Sequence, residues 1–243
     1  MSKSEKAIAT ESLPDWERSR RGASLGGGLG EQREPRTLKG RRTRAALVQA
    51  AREVFEEQGF LDARISDIAK TAGVAYGTFY GYFDSKEAVF QEVAREVVGE
   101  IFEASRVRGT PTDSPVASIE LANRLFLEAW SKNRRILAIL DQVATFNEYF
   151  RELWRDIRRL FVERAERGIA RLQADGLADP DLDAHVAGAA LGGMVENFAR
   201  AWLLHGEPFD GEVALATLTR LWAKGIGLDV GPRAGQGQES SLG

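Results

Sequence analysis

The chain has 243 residues, 43% apolar and 28% charged, which suits a soluble, core-forming protein and is too apolar for general disorder. Its 36 acidic and 33 basic residues sum to −3, a balance that argues mildly against nucleic acid, since nucleic-acid binders usually carry a basic domain. With no cysteine and only two histidines, His185 and His205, disulfides, thiolate metal sites and cysteine nucleophiles are excluded, and no metal or cofactor is expected. The longest uncharged apolar run in the second half, Val186 to Val195, is about half of a membrane span, and the N-terminal stretch has no apolar signal core. The chain therefore reads as cytoplasmic, without a membrane partner.

The average hides an asymmetry. Residues 18–86 hold 13 bases and 8 acids, a net +5, so the remainder carries −8. Arg33, Arg36, Lys39, Arg41, Arg42 and Arg44 form a basic run, a DNA-facing cluster or the solvated start of a helix. Residues 1–39, with five glycines between 22 and 30, read as a flexible basic arm, and residues 231–243 as a flexible tail. The glycine-rich stretch lacks the preceding strand and following Lys-Ser or Lys-Thr of a phosphate-binding loop.

Between these ends the apolar residues recur with helical period, and no segment alternates as a strand does. The spacing predicts helices over about 41–58, ended by Gly59, over 66–72, ended by Gly73, and over 76–83. A further helix starts behind Asp84 and Ser85 and shows Phe90, Val93, Ala94, Val97 and Ile101. After a break at Gly109-Thr110-Pro111, Ser114 and Pro115 open the next, which carries Ile119 to Ala129. Four more fit 134–144, 148–174, 182–204 and 212–226. The fold class is all-α, about nine helices, with a reading head over 40–86 and a larger helical domain over 87–230.

The segment Ile65–Glu87 (ISDIAKTAGVAYGTFYGYFDSKE) says most. Two short helices meet at Gly73, where a tight turn needs positive φ, and Ala69 is small enough for the second helix to cross above it. Tyr76, Thr78, Tyr80, Gly81 and Tyr82 are left on a slim, uncharged face that a major groove admits. Lys86, at the next helix start, can reach a backbone phosphate. Phe79 and Phe83 are given to the core; Tyr80 and Tyr82 can be split, with the ring packed and the hydroxyl outward.

These residues resemble the TetR family of one-component transcriptional regulators. The matching stretches are Asp67-Ile68-Ala69, Ala72-Gly73-Val74, Gly77-Thr78-Phe79-Tyr80, Tyr82-Phe83 and Ser85-Lys86-Glu87, behind an arginine-rich helix ending in Gly59-Phe60. The motif-level likeness covers about residues 41–90. The chain departs at Ala63 and Ala75, where the family usually has hydroxyls; Arg64 offers charge and Ser66 a possible cap instead. The resemblance implies that Tyr76, Gly77 and Thr78 approach base edges of an operator in double-stranded DNA. Tyr80, Tyr82, Lys86 and Arg44 would hold phosphates, with Arg41 and Arg64 adding positive charge. It also implies a homodimer and a small-molecule effector, repression being the commoner mode.

A single short reading head makes few base contacts, so two are normally set about 34 Å apart by a dimer. Gly188 and Gly192, with Leu215, Leu218 and Trp222 of the last helix, are candidates for that interface, intramolecular packing being the alternative. For an effector pocket the surplus aromatics are Phe126, Trp130, Phe146, Tyr149, Phe150, Trp154, Phe198 and Trp202, with Met194 among them. Gln142, Asn147 and Asn197 are possible polar anchors. Each is also what a plain bundle core would use. The set favours a hydrophobic or acyl-type ligand, and Arg134-Arg135 or Arg158-Arg159 could meet an anionic head group or simply face water. The helix from Ser85 to about Ser105 joins head to body as a lever.

Two rival readings remain open. An enzyme could use Asp179, Asp181 and Asp183, although acids and proline at a helix start are what the helix dipole favours. A helical adaptor could use the helix-turn-helix for protein contacts alone.

Overall fold

In a computed structural model of the chain, described for Pro35 and for residues 37–106 and 114–230, the regular elements are all helical. The arm up to Glu34, Arg33 and Arg36 of the basic run, the break at 109–111 and the tail 231–243 lie outside the described residues. Eight α-helices are described: α1 Leu38–Asp62, α2 Ile65–Thr71, α3 Tyr76–Phe79, α4 Lys86–Ala104, α5 Pro115–Phe146, α6 Glu148–Ala174, α7 Ala184–Ala199 and α8 Gly211–Gly225. A π-helical turn, Arg200–Leu204, continues α7.

Helix starts follow local capping chemistry. Thr37 Oγ1 accepts from Gly40 N, Ser85 Oγ from Ala88 N, Asn147 Oδ1 from Tyr149 N, Asp183 Oδ1 from Val186 N and Asp210 Oδ1 from Val213 N, each satisfying an otherwise orphaned amide. Ser66, by contrast, is not the cap of α2: that position is Arg64, whose side chain makes no capping bond. α1 runs past the stop expected at Gly59 as far as Asp62, kinked at Gly59, whose φ of 76° interrupts the helical backbone.

Two expectations fail in instructive ways. The gap expected between Ala129 and Arg134 is absent, and α5 is one helix of 32 residues. Asn133 stays helical because it is buried and satisfied at both ends: its Nδ2 donates to the Ala129 carbonyl (2.9 Å) and its Oδ1 accepts from Arg52 (2.6 Å). The helix expected to reach Phe83 ends at Phe79 and gives way to turns, in line with the low helix propensity of Gly77 and Gly81.

The core over which the head sits is aromatic. Phe90 of α4 lies 5.0 Å from Phe55 and 5.1 Å from Phe60, both of α1, and 5.1 Å from Phe150 near the start of α6. Beside it runs a charged seam. Glu92, almost fully buried, takes Arg44 of α1 at 2.7 Å and Arg95 at 3.1 Å, and Arg95 reaches the Tyr149 hydroxyl at 3.2 Å. Burial pushes that hydroxyl up to about 12. Arg52 adds a second tie, to Glu100 of α4 (2.9 Å) and to Asn133 of α5. The line expected between head and body at residues 86–87 is thus no gap in packing, because α4 packs against both α1 and α5. α6 and α7 pack closely where Gly188 leaves room: a Cβ there would meet the Glu166 nitrogen at 3.1 Å and the Ala165 Cβ at 3.2 Å.

Candidate functional site

The turn between α2 and α3 is a Schellman closure. Val74 N bonds to Ala69 O (3.0 Å) and Gly73 N to Lys70 O (3.1 Å), with Gly73 at φ 69°. Ile68 and Phe79 are wholly buried, so α3 is pinned by its inner side, and Phe83 joins them in the core. Tyr76, Gly77 and Tyr80 are exposed on the outer side, and Thr78 is half-buried. The Tyr76 and Tyr80 hydroxyls lie 3.0 Å apart with their rings edge to face, and this hydrogen bond raises the Tyr80 hydroxyl above its ordinary range. The two phenols form one uncharged, hydrogen-bonding ridge.

The other residues expected to face DNA divide into two groups. Arg41 and Arg64 are exposed. Arg64, Tyr76 and Lys86 share the rim of one shallow concavity, together with Ala63 and Ser66. Lys86 holds the end of α1 with its ammonium, donating to the Leu61 and Ala63 carbonyls, both at 3.0 Å, above the Phe60 ring. Arg44 points inward to Glu92 and lies over Phe83 (5.1 Å). The Tyr82 ring is half-buried against the core.

The body contains a cavity of about 870 Å³ between α4, α5, α6 and α7, with Trp222 of α8 in its wall. Of the aromatics expected around a ligand, it gathers Phe126, Trp130 and Trp154. The other expected residues lie away from its lining. Phe150 is in the head's aromatic core, Phe146 is exposed, Tyr149 belongs to the charged seam, and Phe198 and Trp202 pair at a tilt (6.1 Å), with Met194 packed against the core. Gln142, Asn147 and Asn197 are likewise outside it. Phe102 and Phe161, edge to face at 5.2 Å, complete the apolar wall; neither is among the ligand candidates of the sequence, where Phe161 reads as part of a helix's apolar side.

The cavity also has charge. Arg158 lines it and is clamped by Glu196 through two bonds of 3.0 Å, which raise its guanidinium further. Arg164, unremarked in the sequence, donates to the Phe102 carbonyl (2.7 Å) and Ser105 Oγ (2.8 Å) and lies over both the Phe102 and Phe161 rings. Burial, with Arg106 and Arg167 nearby, pushes it down to about 10.

The residues expected at a dimer interface are turned into the protomer. Gly188 is buried against α6, Leu215 and Leu218 are core, and Gly192 and Trp222 line the cavity. The outward face of α7 and α8 instead presents Val186, Val213 and Leu221, which are 64%, 62% and 50% exposed. Small residues at helical spacing allow close approach without saying to what, and α6 is what Gly188 meets. The acidic segment 179–183 is used in folding: Asp183 caps α7 and Asp179 Oδ1 accepts from Asp181 N (2.9 Å). Among the described residues no group of three metal-ligating side chains comes together, and no helix is long and apolar enough to cross a membrane.

Residues 47–93 match the family model described as bacterial regulatory proteins, tetR family. The chain is 31% identical over 182 residues, 69% of its length and 85% of the relative's, to the HTH-type transcriptional regulator YdgC of Bacillus subtilis (strain 168). It is 25% identical over 204 residues, 79% and 94% of the two chains, to the HTH-type transcriptional regulator EthR of Mycolicibacterium smegmatis. The crystal structure of a transcriptional regulator from Rhodococcus sp. Rha1 superposes with a TM-score of 0.63 over 78% of this chain and 99% of that one, at 21% identity, a likeness of fold alone.

Proposed function

Because the chain belongs to the TetR family of helix-turn-helix transcriptional regulators, we propose that it is a repressor released from a palindromic operator when a hydrophobic or acyl-type effector enters the body cavity. The observation that carries this reading is the pairing of two surfaces in one chain: the uncharged Tyr76–Tyr80 ridge with the exposed Arg64 beside Tyr76, and an 870 Å³ aromatic-walled cavity. α4 connects them, since it packs on α1 at one end and lines the cavity with Val98, Ile101 and Phe102 at the other. Two copies would meet through the Val186, Val213 and Leu221 face, placing two ridges about one turn of DNA apart.

The effector acts by differential affinity for two arrangements of the heads, so effector and operator weaken each other by the same factor. A gel shift with the DNA upstream of the protein's own gene tests the first step. Arg64→Ala weakens binding across sequences and lowers the salt slope by about one ion. An unchanged slope removes Arg64 from the phosphate contacts, and absence of any shift returns the chain to the adaptor reading. A monomeric elution profile at micromolar concentration would sink the dimer.

A further inference from the structure

The cavity is not uniformly apolar along its length. On α6 arginines stand among apolar residues along the whole lining, from Arg158 beside Trp154 to Arg171 beside Leu172. Over the whole wall five arginines (106, 158, 164, 167 and 171) face two acids, Asp175 and Glu196, in a protein whose net charge is −3. Glu196 is already taken, by Arg158 and, at 3.5 Å, by Arg200. Arg106 and Arg167 have distant acid neighbours, Glu103 at 3.8 Å and Glu163 at 4.0 Å.

Arg164 differs from all of these. It is largely withdrawn from water, its described hydrogen bonds go to a carbonyl and a hydroxyl, and among the described residues it has no ion-pair partner. The charge of Glu103 bears on it without forming an ion pair; a desolvated guanidinium so placed is costly to hold, and its planar fork matches a carboxylate or phosphate. Its position matters too: it stands one turn of α6 beyond Phe161, with its guanidinium over the Phe102 and Phe161 rings.

We infer that the cavity selects an anionic amphiphile, an apolar chain lying along Trp130, Trp154 and Phe161 with a carboxylate or phosphate head held by Arg164 and drawn in by Arg171. This rests on the reading of the cavity as the effector site and adds the head-group chemistry and the residue that selects it.

Trp130, Trp154 and Trp222 stand in the wall, so occupancy changes the intrinsic fluorescence without a label. Full-length protein is titrated with dodecanoate, dodecyl phosphate and dodecan-1-ol, each below its micellar concentration. The expected result is that at least one anion binds roughly 10- to 100-fold more tightly than the alcohol, the factor a charge-assisted hydrogen bond supplies. The anion that gains most identifies the head group. In Arg164→Gln the advantage collapses while the alcohol's affinity holds, and Arg171→Gln, at an exposed position, loses a smaller part of it. Alcohol and anions binding equally to the unaltered protein would overturn the inference whatever the variants do, and leave the apolar effector site standing. Equal loss for alcohol and anions in Arg164→Gln would also overturn it, by reducing Arg164 to a structural tie. If none of the three binds, the effector-site reading falls and this inference with it.

Discussion

Phe55, Phe60, Phe90 and Phe150 are in mutual contact and none is more than 5% exposed, whereas Phe126, Trp154 and Phe161, of similar bulk, stay half-buried around a hollow. The same kinds of residue thus serve opposite ends in the two regions. Under the head, rings meet rings and dispersion contacts are complete, which fixes α1 on α4. In the body rings also meet, Phe126 with Phe161 and Phe161 with Phe102, but these rings keep one side toward space, forgo part of that attraction and leave surface on which a guest can recover it. A binding region is legible here as a place where apolar side chains are left short of partners.

The largest test of this contrast removes a ring from each region. Phe90→Ala lowers unfolding free energy by about 4 kcal/mol, while Phe126→Ala lowers it by less than half as much, because only Phe90 leaves a new void in filled space. Chemical denaturation of both variants checks this; comparable losses would mean that the cavity wall is as tightly engaged as the head. Next, Glu92→Ala removes the buried carboxylate shared by Arg44 and Arg95 and costs about 3 kcal/mol, the scale for removing one partner of a buried ion pair. A loss below 1 kcal/mol would show the seam to be as weak as a surface pair.

The smallest effect belongs to the body's exterior, where His185 bonds Glu166 at 2.8 Å. The hydrogen bond and then the charge of Glu166 raise the histidine above its ordinary value. A raised folded-state value means that the contribution is complete below the unfolded pKa, about 6.5, and disappears as pH climbs through the folded one. Wild type should exceed His185→Gln in melting temperature at about pH 5.5 and match it by about pH 9, the difference shrinking further in high salt because the pair is exposed. A gap of constant size across that range would make the contact one of packing.

Much of the fold was written in local chemistry. α6 has the bounds its apolar spacing predicts, and Ser85, Asp183 and Gly73 act where their backbone preferences put them. Periodicity identifies the inward face of a helix without naming its neighbour. That is why the spacing leaves Phe150 open between ligand and core, and Gly188 between a second subunit and packing within the protomer; Phe150 completes the head's core and Gly188 meets α6. The spacing leaves 130–133 between two helices, and the partner that keeps Asn133 helical, Arg52, lies 81 positions earlier in sequence. Arg164 draws no notice from the sequence; the signal available is its place three residues after Phe161, on the apolar stripe itself.

The unbroken length of α5 has a mechanical meaning. Trp130 borders the cavity, and Asn133, one turn further along the same rod, carries the hydrogen bond from Arg52 of the head. Between positions three apart in a continuous helix there is no hinge to absorb motion, so the tilt or twist that an occupant imposes on the indole arrives at the amide undiminished. Gear and shaft are one piece: a flexible joint at the gap once expected after Ala129 would let the wall yield to a guest while the head stayed still.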